Sequence, residues 1–507
     1  MRLRISPTWI LLGVVFAAAA VRVAYVWNLS TDRLNWEDEQ EYDEIAWRLA
    51  STGRFESLPY RATPVLSWFL AAVYRVAGHD YRAARVAQSV VAGATVLAIY
   101  AIGASLFTRV TGFVAAIGVA FYPPLIYLSG VFYAEHLYTV LLAVTVLCLV
   151  KWWQTKRLIW VVAAGVSLGL GVLCRPVSLG FVPFAAAYVG WTANGRLRWR
   201  GLAILLVALS ATVGPWTIRN AITFHHFVPV SAGFGMHLWL GNNDVARGDA
   251  DDRFLILGGK MWQERVNKLP DPEQRKAAWT RKHRFDVAVD RLAVVGSGSS
   301  EVNEPVNEFM TVKSPLPLSG SATSGPASYR LDQVKLDRLY AQAAEEWMVY
   351  HPVDVLRLST RRLLVLYSAF TRTGTQSADV SPRNQMIAAI SFYPVLALGL
   401  IGAVVAWYSQ RASIVLHAAI GAGMAFYLVT TACTRFRLPL DPFWILLASV
   451  AVTSGREKLR VGVASAWHSA WERVERPASS QWRCADLNST TARDNTCGET
   501  PLVSSHL

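Results

Sequence analysis

The stretch Asn35-Trp36-Glu37-Asp38-Glu39-Gln40-Glu41-Tyr42-Asp43-Glu44 is the densest run of carboxylates in the chain, and it follows directly on the first long apolar segment. Carboxylates at a membrane surface can take a proton from an attacking hydroxyl or hold a cation. They can also do something plainer. Asn35 can cap a helix, and acids in a first turn complement the positive helix end, which accounts for Glu37 and Asp38 without any chemistry. If the run is helical from Trp36, then Asp38, Tyr42, Ile45 and Leu49 share one face and Glu39 points about 100° away. One acid then faces a cleft while its neighbours face water, because an ionised acid facing lipid is costly. A second acid, Glu135, opens a later apolar segment. It is either an interfacial acid of that segment or a second acidic group over the same pocket.

The arginines form the third set. Arg61, Arg82, Arg175, Arg219 with Asn220 beside it, Arg435 and Arg437 all fall outside or at the ends of apolar segments. A single interfacial arginine anchors its helix at the headgroups. Several converging at one face make a phosphate site, since guanidinium matches phosphate with two parallel hydrogen bonds. Arginines and carboxylates over one pocket suit a lipid phosphate undergoing displacement at the adjacent carbon.

These side chains must be held by a membrane domain. Of the 507 residues, 53% are hydrophobic and only 17% charged, too apolar for an ordinary soluble protein. The net charge of +14 lies largely in short loops between apolar segments, where it sets topology and meets anionic headgroups, so we read no nucleic-acid partner from it. The five cysteines show neither metal-type spacing nor a disulfide framework. Apolar periodicity predicts an all-α polytopic protein of about ten transmembrane helices, near residues 1–27 (after the basic start at Arg2 and Arg4), 84–107, 112–128, 132–150, 158–174, 177–191, 202–216, 386–407, 414–431 and 438–452. Residues 1–216 then form an N-terminal transmembrane module whose first loop, 28–82, holds the acidic run. That run stops at Ser51-Thr52-Gly53-Arg54, and Val65–Ala77 is too short to span and reads as a helix lying in the interface.

Residues 217–385 form a long polar loop. Its Ser-, Gly- and Pro-rich part, 296–329, is expected to be disordered, and Leu331–Phe370 is expected to be helical with a break at Pro352. Residues 386–454 are the C-terminal transmembrane helices, and 455–507 are a polar tail. Arg2 and Arg4, then Arg109, then Lys151, Lys156 and Arg157, then Arg196, Arg198 and Arg200, then Arg411, and last Arg456, Lys458 and Arg460 all fall on one side of this arrangement. The positive-inside rule makes that side cytoplasmic, with both termini, and turns the acidic run and the long loop outward.

In this order and placement the sequence resembles the polytopic glycosyltransferases of the GT-C fold, in particular bacterial relatives of the dolichyl-phosphate-mannose protein mannosyltransferases and of the lipid A aminoarabinose transferase. The family's acidic pair followed by tyrosine and alanine is matched by Asp38-Glu39 with Tyr42 and Ala46. Thr63-Pro64 before an interfacial helix, Glu135 and Arg175-Pro176 fit in turn. So do Pro215-Trp216-Thr217-Ile218-Arg219-Asn220, Val228-Pro229-Val230-Ser231, Leu240-Gly241-Asn242-Asn243, His351-Pro352 and Arg435-Phe436-Arg437-Leu438-Pro439. The acidic run is richer than the family pattern, and 296–329 matches nothing in it. No large folded domain is evident in the long loop.

The resemblance implies a sugar taken from a polyprenyl-phosphate carrier at the outer face of the cytoplasmic membrane and passed, usually with inversion, to a lipid, glycan or protein acceptor. It implies Asp38 as general base or acceptor-orienting acid, with Glu39 next and Glu135 assisting. It implies Tyr42, Arg61, Arg82, Arg175, Arg219, Asn220, Arg435 and Arg437 as substrate contacts, the arginines neutralising the departing phosphate. It makes no cofactor certain, since family members differ in metal dependence; Asp38, Glu39 and Glu135 are available to a divalent cation. Trp36, Tyr42, His225, His226 and Trp239 are either sugar-selecting side chains or interfacial aromatics. Two other readings compete. A polymerase or ligase moving a whole glycan from a polyprenyl diphosphate would not centre on the early acidic loop. A lipid-linked sugar transporter or flippase would place ionisable residues at mid-membrane depth.

Overall fold

The computed structural model describes residues 7–29, 33–248, 260–295, 332–369 and 382–454. The stretch 296–329, the tail 455–507 and the side chain of Glu37 lie outside the described residues. The described residues form helices and no sheet, and the expectation of a helical, multi-pass membrane protein holds.

Helix α1 (Pro7–Trp27) carries one buried arginine, Arg22. Its guanidinium donates to the carbonyl of Ala18, one turn back, and to those of Val119 and Ala120 at the end of α5 (Arg109–Ala120), so a charge inside the apolar layer meets backbone carbonyls. Helix α2 (Glu37–Thr52) starts one residue later than Asn35 would place it: Trp36 is the cap residue and supplies no side-chain bond. Instead Glu39, at the third helical position, turns back and accepts at 3.1 Å from the backbone N–H of Asn35, the residue before the cap, as the returning arm of a capping box does one residue later. The helix ends at Gly53, whose φ of 74° is the left-handed geometry that favours glycine. A 3₁₀ turn (Pro59–Arg61) leads into the short α3 (Pro64–Ala77), which buries Leu66, Leu70, Ala71 and Tyr74.

Helices α4 (Tyr81–Leu106) and α5 (Arg109–Ala120) form a tight hairpin capped by Thr108. The segment expected as one span over 112–128 is two helices, α5 and α6 (Pro123–Leu128). Pro123 and Pro124 cannot donate to the preceding turn and end it. Helix α7 (Ala134–Thr155) and helix α8 (Leu158–Cys174) run antiparallel, so Ala134 and Cys174 meet at one end; the Cys174 thiol donates to the Ala134 carbonyl. The span expected over 177–191 opens as a 3₁₀ turn (Pro176–Phe181) and continues as α9 (Val182–Trp191). Helix α10 (Gly195–Phe224) is 30 residues long with Pro215 inside it.

Within the long loop, α11 (Phe234–Gly241), α12 (Lys260–Asn267), α13 (Pro272–Val295) and α14 (Gln333–Tyr350) build a small core of their own. Leu238, Trp239, Trp262, Val266, Ala278, Tyr340 and Ala344 are buried there. This folded unit was not evident in the sequence. Its apolar residues are scattered over a hundred positions and converge only in three dimensions. The break at Pro352 falls as expected, between α14 and α15 (Pro352–Leu366).

The chain returns through α16 (Pro382–Ser409), α17 (Ile414–Val429) and α18 (Thr434–Ser454), whose first seven residues are a 3₁₀ turn. Among the described residues seven helices, α1, α4, α7, α10, α16, α17 (with the turn before it) and α18, are long and apolar enough to cross a membrane. Helix α8, 17 residues, rises about 26 Å, close to a hydrocarbon core of about 30 Å. Not all of the expected ten reach spanning length, because proline divides two of them.

Candidate functional site

Five chain segments bring their polar residues to one place: the first turn of α2, the turn at Pro59–Arg61, the start of α7, the end of α8 and the start of α18. Asp38 is buried and Glu135 is 2% exposed. Asp38 Oδ1 accepts from Arg61 Nη2 at 2.5 Å, and Asp38 Oδ2 from Arg435 Nη1 at 2.8 Å. Arg435 Nε also reaches Glu135 Oε1 at 2.9 Å. Arg175 Nη1 pairs with the same Glu135 oxygen, and Arg61 Nε pairs with Glu41. The result is a ladder of alternating sign, Arg61–Asp38–Arg435–Glu135–Arg175.

Aromatic rings floor this ladder. Arg435 lies 4.2 Å above the Tyr133 ring, Arg175 5.0 Å above Phe436, and Arg61 5.5 Å above Tyr42. Guanidinium over a ring face keeps its in-plane donors free for anions. Tyr427 closes the far end, its hydroxyl accepting from Arg175 Nη2 at 3.3 Å.

The electrostatics follow from burial and pairing. Burial alone would raise the Asp38 carboxyl; the guanidiniums of Arg61 and Arg435 outweigh it and hold that carboxyl well below the usual carboxylate range. Burial would lower Arg61, and its contacts with Asp38 and Glu41 overcome that and raise it. Glu39 behaves oppositely. It is 1% exposed, and burial pushes it up despite the backbone N–H of Phe132 at 3.0 Å and that of Asn35. The two adjacent acids thus sit in different environments, one among arginines and one against backbone amides. Their 100° separation on the helix is the reason.

The structure gathers Asp38, Glu135, Tyr42, Arg61, Arg175 and Arg435 of the expected set. It places the others elsewhere. Arg82 lies 4.8 Å above the Trp27 ring. Arg219 donates to the Phe55 carbonyl at 2.6 Å and stacks on Trp216, Phe55 and Phe224. Asn220 is buried and donates to the carbonyls of Val228 and Val230, closing the reversal after α10. Arg437 donates to Asp441 at 2.9 Å and to the Leu366 carbonyl at 3.1 Å. It stands two residues from Arg435 on a turn of three residues per revolution, which sends the two side chains about 120° apart. Trp239 is in the core of the long loop, His225 takes the left-handed φ of 54° that ends α10, and His226 bonds Asp332.

The acids do not fit a divalent cation as arranged. Arg435 stands between Asp38 and Glu135 where a bridging ion would lie, and both oxygens of Glu39 accept from backbone amides. Among the described residues no three His, Cys, Asp or Glu side chains gather for a metal ion.

Three participants were missed. Glu41 pairs with Arg61 and accepts from the Tyr60 hydroxyl at 3.1 Å; it had been only one acid among several. Tyr133 and Tyr427 carried no sequence signal apart from standing near Glu135 and the end of an apolar segment.

Residues 61–217 match a model of the dolichyl-phosphate-mannose-protein mannosyltransferase family. Over that stretch, which holds Arg61, Tyr133, Glu135 and Arg175, the chain is mannosyltransferase-like, as its motifs led us to expect. The matched residues do not include Asp38 or Arg435. No curated protein sequence matches the chain. Among solved structures it is similar to the oligosaccharyltransferase AglB of the archaeon Archaeoglobus fulgidus, in complex with an inhibitory peptide and a dolichol-phosphate, at 14% identity and a TM-score of 0.47, over 94% of this chain and 53% of that one. It is also similar to ArnT of Cupriavidus metallidurans bound to undecaprenyl phosphate, at 14% identity and a TM-score of 0.40, over 88% of this chain and 78% of that one. The chain thus spans about half the length of the archaeal protein.

Proposed function

We propose that this protein is a membrane glycosyltransferase that moves a sugar from a polyprenyl-phosphate carrier to a hydroxyl or amine of a lipid, glycan or protein acceptor, at the outer face of the cytoplasmic membrane. The observation that carries the reading is the convergence of Arg61, Arg175 and Arg435 on Asp38 and Glu135 at one end of the helices. The family match over 61–217 supports it. The placement of this end, opposite the Lys- and Arg-rich loops, supports the outer orientation.

In the reaction, the acceptor oxygen or nitrogen forms a bond to the anomeric carbon as the bond from that carbon to the carrier phosphate breaks. The electron pair leaves with the phosphate, which gains one negative charge, and the acceptor's proton goes to Asp38. Guanidiniums fixed beside the leaving phosphate stabilise the charge where it develops, with little reorganisation. Asp38, between Arg61 and Arg435, is the base; Glu135, nearly inaccessible, holds Arg175 and Arg435 in place. A diphosphate carrier would suit the same arginines but does not call for an acid between them.

The test is to follow release of polyprenyl phosphate by purified protein in lipid, offered a panel of polyprenyl-phosphate sugars with cell-envelope acceptors. One donor consumed by wild type and not by folded Asp38→Asn supports both the reaction and its base. No donor consumed, with a diphosphate-linked glycan consumed instead, overturns the reading.

A further inference from the structure

In the ladder, each group that the reaction needs is held by another that it also needs. Arg435 donates Nη1 to Asp38, is ion-paired through Nε with Glu135 and lays its face on Tyr133. Asp38 has a guanidinium on each oxygen. An arginine fork committed to two carboxylates does not grip a phosphate, and a carboxylate between two guanidiniums is a poor acceptor for a proton. The set is balanced, with Arg61, Arg175 and Arg435 against Asp38, Glu41 and Glu135. Glu41, paired with Arg61, is the most open member at 32%; around Asp38 and Glu135, which are 9% and 2% exposed, the open groups are the side chains of Arg61, Arg175 and Arg435 at 20%, 18% and 15%. An anion that reaches Asp38 and Glu135 therefore meets guanidinium first.

We propose that Asp38 and Glu135 stand in for the donor's phosphate, and that the phosphate arms the enzyme by taking Arg435 away from Asp38. The inference rests on the transferase reading above and adds to it that donor binding and base activation are one exchange of partners. Before the donor arrives, Asp38 is neutralised and cannot draw a proton from water or from an acceptor. Once phosphate holds Arg435, Asp38 keeps Arg61 on Oδ1 and presents Oδ2 to the acceptor. As the bond to the anomeric carbon breaks, the phosphate gains charge and holds Arg435 more tightly, so the exchange is strongest when the proton must be received. Arg435 is on this account the coupling residue between the two substrates.

The exchange predicts an effect contrary to ordinary loss of a catalytic group: removing the base should tighten phosphate binding. Titration calorimetry of the full chain in detergent with farnesyl phosphate, a short and soluble polyprenyl phosphate, reads this directly. Asp38→Asn is expected to bind farnesyl phosphate about tenfold tighter than wild type or more, the size of ordinary coupling between sites. Glu44→Gln, which removes an exposed acid of the same helix paired with Arg48, is expected to leave binding unchanged. In an Arg435→Gln background the gain from Asp38→Asn should vanish, because the guanidinium that the exchange releases is gone and Arg61 stays on Asp38 throughout. A gain that persists there comes from relief of charge repulsion or from Arg61 and overturns the exchange, as does no gain at all. Should Asp38→Asn fail to fold, Glu135→Gln completes the same cycle with Arg435. If wild type turns over a sugar donor and the cycle is additive, only the exchange fails. If it neither binds farnesyl phosphate nor turns over any donor, the transferase reading fails with it.

Discussion

Asp38 and Glu39 are neighbours in sequence and chemically unlike. Asp38 is stabilised as an anion by Arg61 and Arg435, so its proton affinity is lower in the folded chain than in the unfolded one. The folded state then binds fewer protons, and the stability from this carboxylate is present above the unfolded value of about 4 and lost as pH falls below it. Wild type is expected to lose thermal stability on acidification below about pH 4, and Asp38→Asn to lose less, as a melting series against pH would show. Glu39, raised by burial, has the opposite sign: the folded chain holds its proton to higher pH, and stability falls as pH rises through that raised value. In turnover, Asp38→Asn is expected to cost at least a hundredfold, the lower range for loss of a general base. Arg437 offers a contrast. It is 1% exposed and bonded to Asp441, which is fully buried. Asp441→Ala leaves that charge unpaired and should cost about 3–5 kcal/mol of stability, while protein that remains folded keeps its turnover. A folded, inactive Asp441→Ala would place Arg437 in the reaction after all.

At the scale of elements, the question is what fixes the rotation of α2, since a small turn of this helix would swing Asp38 off its arginines. The other side of α2 supplies the answer. Asp43 accepts from the Tyr74 hydroxyl at 2.5 Å and the Tyr81 hydroxyl at 3.3 Å, and meets His79 Nε2 at 2.9 Å, while Trp47 stacks on His79 with ring centroids 4.6 Å apart. This clamp ties α2 to α3 and to the start of α4. Asp43→Ala strips a partner from three groups, and leaving a buried polar group unsatisfied costs about 1–3 kcal/mol. It is expected to lower both stability and turnover, whereas Tyr81→Phe, which removes the longest of these bonds, should be mild in both assays. Which parts of this were legible in the sequence follows from range. The face shared by Asp38 and Tyr42 and the stop at Gly53 are local, set by helical period and by backbone freedom, and they were read correctly. Arg435 meets Asp38 from 397 residues away, and nothing local distinguishes it from Arg437; only the 3₁₀ geometry of their turn does. The partner of Glu39, the Phe132 amide, is a backbone group and leaves no trace in residue type.

At the scale of the molecule, close helix approach and polarity of the ends decide whether the site can exist. Gly402 of α16 lies against the Leu447 carbonyl of α18, with no room for a Cβ. Gly402→Ala must therefore push α16 and α18 apart, and overpacking of this kind costs about 1–3 kcal/mol, readable as a lowered melting temperature. The larger issue is which way the ladder faces. Helix α7 begins at Ala134, next to Glu135, and ends at Thr155, beside Lys156 and Arg157, so its two ends sort the acids and arginines of the site from a basic loop. Positive loops are retained in the cytoplasm, and a carrier phosphate used outside requires the ladder at the other surface. Cysteine labelling can decide this. Cys148, Cys174 and Cys433 are buried, so a background with Cys484 and Cys497 changed to serine should react little. On that background Ser51→Cys, at the exposed end of α2, is expected to react with a membrane-impermeant maleimide in intact cells. Thr155→Cys, exposed at the far end of α7, should react only after the membrane is opened. The reverse pattern would put the arginines and Asp38 in the cytoplasm, where nucleotide sugars are at hand, and would remove the reason for a lipid-borne donor.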